Sequence, residues 1–209
     1  MAPQTGLFVT FEGVDGAGKS TQIRLAAEAL GAQGRAVLQT REPGGSPGAE
    51  EIRALLVAGD TGRWSPLTEL LLFNAARRDH LERTIEPALA RGEIVLCDRY
   101  VDSTRAYQAA GRGLPPETVE ALHRLAIGRE ADLTLVFDLD PAEARARGGA
   151  GAEDRYERFG EDFQAVLRQA FLDIAAGDPA RCRVIDAGRS VEEIAADVIA
   201  AVSSRLAAA

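Results

Sequence analysis

The chain has 209 residues, of which 46% are hydrophobic and 27% charged, and its formal net charge is −8 at pH 7. That is ample apolar material for one α/β core. An acidic balance without a long basic run argues against a general nucleic-acid or membrane surface. No apolar stretch approaches the roughly 18 residues of a membrane helix and no signal peptide opens the chain, so a cytoplasmic protein is expected.

The first five residues, Met1 to Thr5, read as a loose tail. Leu7–Phe11 is a short apolar run, suited to a buried strand. Next comes Gly13-Val14-Asp15-Gly16-Ala17-Gly18-Lys19-Ser20, which fits G-x-x-x-x-G-K-[ST] without a mismatch. Ile23, Leu25, Ala26 and Leu30 then follow helical spacing, so the motif stands between a strand and a helix. There the backbone N–H groups can turn inward onto phosphate oxygens, and the helix adds its positive end. Lys19 is expected to reach the β- and γ-phosphates and the Ser20 hydroxyl to ligate Mg²⁺. Lys19 is also the only lysine in the chain; the other Lys+Arg positions are all arginines.

Further strands are predicted at Ala36–Thr40, Ile94–Cys97, Leu133–Asp138 and Arg183–Ile185. Helical patterns lie at Ala49–Val57, Leu67–Ala90 (broken near Pro87), Glu117–Ile127, Glu161–Ala176 and Val191–Leu206. Alternation of this kind predicts right-handed βαβ crossovers and a parallel sheet of five strands. Ala144–Ala152, ARARGGAGA, is too glycine-rich for a continuous helix and is expected to be a mobile loop. Cys97 and Cys182 fall in predicted strands without metal-ligand spacing; reduced, buried thiols are expected.

Ligands of parallel sheets bind at the carboxyl ends of the strands. Gly13–Ser20, Arg41–Gly45, Asp98–Tyr100 and Asp138–Asp140 all follow strands, which sets four polar segments on one rim. Asp98, ending an apolar strand, is a candidate to serve Mg²⁺ beside Ser20. Arg99 would face the same site, where a planar guanidinium suits phosphate. Phe73 and Arg77 are one helical turn apart. That spacing fits a base-binding pair, and equally a core ring beside a solvated arginine. Thr104, Tyr107 and Gln108 share a helical face that suits either a nucleoside pocket or ordinary packing. Arg145, Arg147, Arg155 and Arg158 bracket the glycine-rich stretch. A solvated face is their plain reading; flexible glycines between arginines also suit a lid over phosphates.

Four segments together carry a closer resemblance: Phe11–Thr21, the Thr40-Arg41-Glu42-Pro43-Gly44-Gly45 run, Leu72-Phe73-Asn74-Ala75-Ala76-Arg77, and Asp98-Arg99-Tyr100 with Ser103-Thr104 and Ala106-Tyr107-Gln108. In them, and in order from about Leu7 to Val198, the chain resembles the thymidylate kinases. The resemblance implies a P-loop fold with a five-stranded parallel sheet flanked by helices, in a single domain over 1–209 with a short lid at about 143–158. It implies transfer of the γ-phosphoryl group of Mg·ATP to dTMP by a homodimer, giving dTDP and ADP. Gly13 to Thr21 would then bind ATP. Phe73 becomes a thymine-stacking ring, Arg77 a donor to the thymine edge, and Thr104 and Gln108 base-pocket neighbours. Tyr107 becomes a wall where a 2′-hydroxyl would clash. Asp15 would lie near the deoxyribose 3′-hydroxyl. Arg53 and Arg99 would contact the acceptor nucleotide, with Arg99 on its phosphate; Glu42 and Ser103 belong to the same acceptor site.

Some members of the family carry an arginine inside the phosphate loop, where this chain has Gly16; others carry it in the lid. Gly16 points to the lid type, with Arg147 and Arg155 joining Lys19, Asp15 and Arg99 as catalytic candidates. A kinase of another nucleotide or a small metabolite is the alternative, since it needs all but the acceptor pocket. A GTPase-type switch needs an Asn-Lys-x-Asp guanine reader, which a chain with one lysine cannot hold.

Overall fold

The structure is a computed structural model that describes residues 6–147 and 159–208. Strand β1 (Leu7–Gly13) is buried along its whole length. It forms the middle of a five-stranded sheet of order β2-β3-β1-β4-β5, with β2 at Val37–Arg41, β3 at Ile94–Asp98, β4 at Leu133–Asp138 and β5 at Cys182–Asp186. Every pairing is parallel, and Val9 faces Leu96 on one side and Leu133 on the other. A parallel strand covered on both faces needs apolar side chains on both, which is why β1 reads as a continuous hydrophobic run. Leu7, Val9 and Phe11 enter one core with Ile23, Leu30 and Val198, while Phe8 enters a second with Leu81, Ile85 and Tyr100.

Helix α1 (Lys19–Ala32) buries Ile23, Ala26, Ala27 and Leu30. α2 (Pro47–Val57) and α3 (Pro66–His80) each begin on a proline, and the Ser65 hydroxyl caps α3 by accepting from Thr68 N–H at 3.2 Å. The long pattern Leu67–Ala90 is not broken at Pro87. α3 instead passes into a π-helical turn (Leu81–Ile85) and then α4 (Glu86–Ala90), with Pro87 in the first turn of α4. Glu86 N–H bonds Leu81 O, and the wider turn absorbs the clash a proline ring makes with the turn before it. The same device recurs after α5 (Val101–Thr104), where Arg105–Gly111 is π-helical. α6 (Pro116–Ala126), α8 (Glu161–Gly177) and α9 (Val191–Ala208) lie where the periodicity puts them.

The expected loop at Ala144–Ala152 needs correction over its first three residues. Ala144–Ala146 close helix α7 (Pro141–Ala146), which Asp140 starts by accepting from Ala142 N–H at 2.9 Å. Asp-Pro is a helix-start signal, and the burial of Ala144 holds the short helix in place. Gly148–Ala152, with Arg155 and Arg158, lie outside the described residues. Both cysteines are free and buried in strands.

Candidate active site

The loops that follow β1, β2 and β3 converge on a cleft of about 460 Å³. Its phosphate-binding half is built first by sterics. Gly13 leaves the sheet at φ 132°, and a Cβ there would lie 2.5 Å from Phe137 O. Only a glycine lets the loop turn that close to β4. α1 then starts at Lys19 with no side-chain cap and no acid in its first turn, so no residue of that turn opposes an anion at its positive end. The Lys19 ammonium donates to Gly13 O at 3.1 Å and Val14 O at 2.8 Å. Burial and the nearby Arg99 charge push its pKa down, against Asp15, Asp98 and Glu12.

At the end of β3, Asp98 accepts a 2.9 Å hydrogen bond from the Ser20 hydroxyl. Arg99 follows in the left-handed region, φ 68°, with its N–H bonded to Phe11 O at 3.0 Å. This bend turns its side chain over the cleft. The guanidinium donates to Asp15 Oδ1 at 2.6 Å and Ser103 Oγ at 3.0 Å, and lies 5.2 Å from the Tyr107 ring centre. Tyr107 donates to Asp15 Oδ2 at 3.4 Å. Burial alone would raise the Asp15 pKa. The Arg99 and Lys19 charges and the Arg99 and Tyr107 hydrogen bonds outweigh burial and bring it to about 2.

No group of three or more His, Cys, Asp or Glu able to hold a metal occurs among the described residues. Ser20 and Asp98 offer two hard oxygens instead. That donor set fits Mg²⁺, which keeps several waters and takes its remaining ligands from substrate phosphates.

Beneath Arg99 lies Glu12, fully buried. It accepts from Tyr100 N–H at 2.7 Å and the Ser103 hydroxyl at 2.6 Å, so one carboxylate holds the segment just after the cleft arginine at two points. Burial and the Asp102 charge push its pKa from 4.5 up to about 7, against the Ser103 and Tyr100 hydrogen bonds and the Arg99 charge. The folded chain thus keeps a proton that the unfolded chain releases near pH 4.5. Glu12 favours folding below that pH, and this contribution is lost as pH rises through 7. Glu12→Gln is therefore expected to flatten the pH dependence of stability. Relative to wild type, its unfolding free energy should gain about 3 kcal/mol between pH 4.5 and pH 8, read by urea titration. Two parallel stability curves would refute this.

The other half of the cleft is reached from α2, α3 and the π-helical turn. Phe73 borders the cleft and also packs against the core. Arg77 is only 2% exposed, against the solvated reading. Its Nε donates to Glu42 Oε2 at 2.6 Å, and its Nη2 to Tyr100 O and Thr104 Oγ1, both at 3.0 Å. Its third nitrogen, Nη1, is buried with no hydrogen-bond partner. Gln108 reaches Glu69 at 3.5 Å and Arg53 donates to Pro43 O at 2.7 Å.

Of the residues singled out in the sequence, Asp15, Gly16, Gly18, Lys19, Ser20, Thr21, Glu42 and Arg53 border the cleft, and so do Asp98, Arg99, Ser103, Thr104, Tyr107, Gln108 and Arg147. Gly13, Val14 and Ala17 belong to the loop but not to the cleft lining. Arg147, just after α7, also donates to Ala187 O at 2.7 Å. Arg145 turns away and pairs with Glu161. Arg41 borders the cleft and pairs with Glu50 at 3.0 Å. Sequence reasoning gave no role to Glu12 or His80. An acid inside an apolar strand, and a histidine three residues after Arg77 on one helix face, were the available signals.

The sequence profile of the thymidylate kinase family matches residues 11–198. The chain is 58% identical over 204 residues to the thymidylate kinase of Ruegeria pomeroyi, covering 97% of both chains. It is 61% identical over 199 residues to that of Dinoroseobacter shibae, covering 94% of this chain and 96% of the other. The fold superposes on the crystal structure of thymidylate kinase from Ehrlichia chaffeensis with a TM-score of 0.76 and 35% identity, covering 95% and 99% of the two chains. The glycine-rich loop between β1 and α1, and full-length likeness of this order, place the chain in the thymidylate kinase family.

Proposed function

We propose the following division of labour for the family's reaction, transfer of the γ-phosphoryl group of ATP to dTMP. The observation that carries it is Arg77. A buried guanidinium with one unpartnered nitrogen, bordering the cleft opposite the phosphate loop, suits a fixed carbonyl oxygen on a base edge. Phe73 stacks on the pyrimidine, Thr104 and Gln108 border it, and Tyr107 walls the sugar. Asp15 takes the 3′-hydroxyl. Arg53 and Glu42 shape the acceptor side, and Arg99, steadied by Ser103, holds the acceptor phosphate.

Residues Gly13 to Thr21 cradle the ATP phosphates through their amides. Ser20 and Asp98 would hold Mg²⁺, which supplies charge neutralisation for the phosphate oxygens. The transition state of phosphoryl transfer is loose, so positioning and charge carry the rate. Lys19 meets the transferring group from the loop, and Arg147 from the lid segment 143–158. Arg155, outside the described residues, is the second candidate for that charge. The acceptor is already a phosphate oxyanion, so no general base is needed.

In the same reading the chain acts as one domain, in the cytoplasm, with neither nucleic acid nor membrane as partner. Among the described residues no helix is long and apolar enough to cross a membrane. A homodimer also belongs to this reading. Leu55 on α2 and Leu67 and Leu71 on α3 are exposed apolar side chains on neighbouring helices, and the mass of the active species in solution tests it.

The decisive experiment is a coupled ADP-release assay over dTMP, UMP, CMP and AMP. dTMP is expected to give the highest kcat/KM by at least ~100-fold, since CMP and AMP would turn an amino group to Arg77 and UMP would bring a 2′-hydroxyl against Tyr107. Equal rates for all four would leave a kinase of another nucleotide in its place.

A further inference from the structure

Beside Arg77 runs a chain of four side chains, three of them buried. Thr40 Oγ1, on β2, lies 2.7 Å from His80 Nε2, and His80 Nδ1 lies 3.0 Å from Glu42 Oε1. The other Glu42 oxygen accepts from Arg77 Nε at 2.6 Å. His80 has no exposed surface, and Glu42 and Arg77 are 5% and 2% exposed. A carboxylate beside a guanidinium only accepts, so Nδ1 carries hydrogen and donates to Glu42. The Thr40 hydroxyl serves Nε2.

The surrounding loop is folded onto the imidazole. Gly45 has φ 83°, and a Cβ on it would lie 2.4 Å from His80 Nε2 and 2.5 Å from Thr40 Oγ1. α3 and the π-helical turn pin the same loop twice more: Ser46 Oγ donates to Asp79 Oδ2 at 2.6 Å, and Thr84 Oγ1 to Gly45 O at 2.8 Å. His80 and Arg77 stand one turn apart on α3, so the helix offers both donors to the two oxygens of one carboxylate.

Arg77 needs such support because its stem has many rotamers and its task is directional. Nε is fixed by Glu42 and Nη2 by Tyr100 O and Thr104, while Nη1 is buried without a partner. A Glu42 carboxylate held only by Arg77 would turn with it. We propose that His80 is a positioning residue for base recognition. By fixing Glu42 it sets the plane of the Arg77 fork, so that Nη1 meets a carbonyl oxygen of a pyrimidine rather than an amino group. This inference rests on the reading of Arg77 as the base-edge donor.

Three substitutions separate the two ring nitrogens. His80→Asn keeps an N–H where Nδ1 stands, His80→Gln keeps one where Nε2 stands, and His80→Phe keeps neither. KM for dTMP is expected to rise about tenfold in His80→Gln and His80→Phe, with KM for ATP unchanged, and to stay within about threefold of wild type in His80→Asn. A dTMP KM unchanged in Gln and Phe, an ATP KM rising in step with it, or rescue by Gln as good as by Asn, each overturns the proposal. If the His80 variants do not fold, Thr40→Val removes one end of the chain. It should raise dTMP KM about threefold and leave ATP KM alone; an unchanged dTMP KM there also overturns the proposal. Arg77→Ala distinguishes the two failures. If it leaves dTMP KM unchanged, the reading of the pocket falls. If it raises that KM while the His80 variants do not, only the role of His80 falls.

Discussion

Lys19→Ala is expected to lower kcat by about 10²–10³-fold while KM for dTMP stays within a few-fold of wild type. The loop amides and the start of α1 remain, so the nucleotide phosphates keep most of their ligands. In the proposed reading what is lost is a point charge at the transferring group, and that charge matters more as the transition state forms than in the ground state. Lys19 is also 5% exposed and bonded to two loop carbonyls, so melting temperatures must be compared alongside rates. Lys19→Arg is not expected to rescue, because a planar fork does not fit the space of an ammonium curled inside the loop. A near-wild-type rate for Lys19→Ala would remove Lys19 from the mechanism.

Arg99→Ala is expected to lower kcat/KM for dTMP by about 10³-fold or more, with KM for dTMP rising and KM for ATP moving less. In the proposed reading two anions are brought together in this cleft, with Arg99 as the cation between them. Its removal also releases Asp15. The Asp15 side chain is 35% exposed and would keep its charge at neutral pH, facing the acceptor with only Lys19, 3.8 Å away, to balance it. The defect then has two parts: a lost phosphate ligand and an uncovered carboxylate. Arg99→Lys should recover part of the rate, since it restores charge without the bidentate fork. The double variant Arg99→Ala/Asp15→Asn should be less impaired than the sum of the singles, because the uncovered charge is gone. A loss below tenfold for Arg99→Ala would refute this account.

The π-helical turns show one limit of reading by period. Both replace a stretch that a 3.6-residue pattern describes as ordinary helix. The register of Arg77 and His80 is set before the first turn, and that of Tyr107 and Gln108 inside the second. Arg77 shows another. On spacing alone an arginine on an amphipathic helix belongs in water, because burying a guanidinium is costly. Glu42, 35 residues earlier, and the carbonyl of Tyr100, 23 residues later, offset that cost, and neither partner is visible from the helix.

What the sequence determined by itself is the set of features that depend on neighbours along the chain. Five apolar runs became five parallel strands, and Gly13 to Ser20 became a loop opening a helix. Asp98 and Arg99 stand at the end of their strand, and the site segments that follow β1, β2 and β3 border one cleft. Strand periodicity, glycine sterics and helix-start chemistry act within a few residues, so they can be read locally. Only the tertiary structure decided which polar groups in and behind the cleft meet. Asp15 and Arg99 are 84 positions apart, Glu12 and Ser103 are 91, and Glu42 and His80 are 38. Hydrophobic patterning sorts side chains into inside and outside. It carries no record of the hydrogen bonds that make burial of a charge tolerable, and those bonds aim the arginines of this cleft.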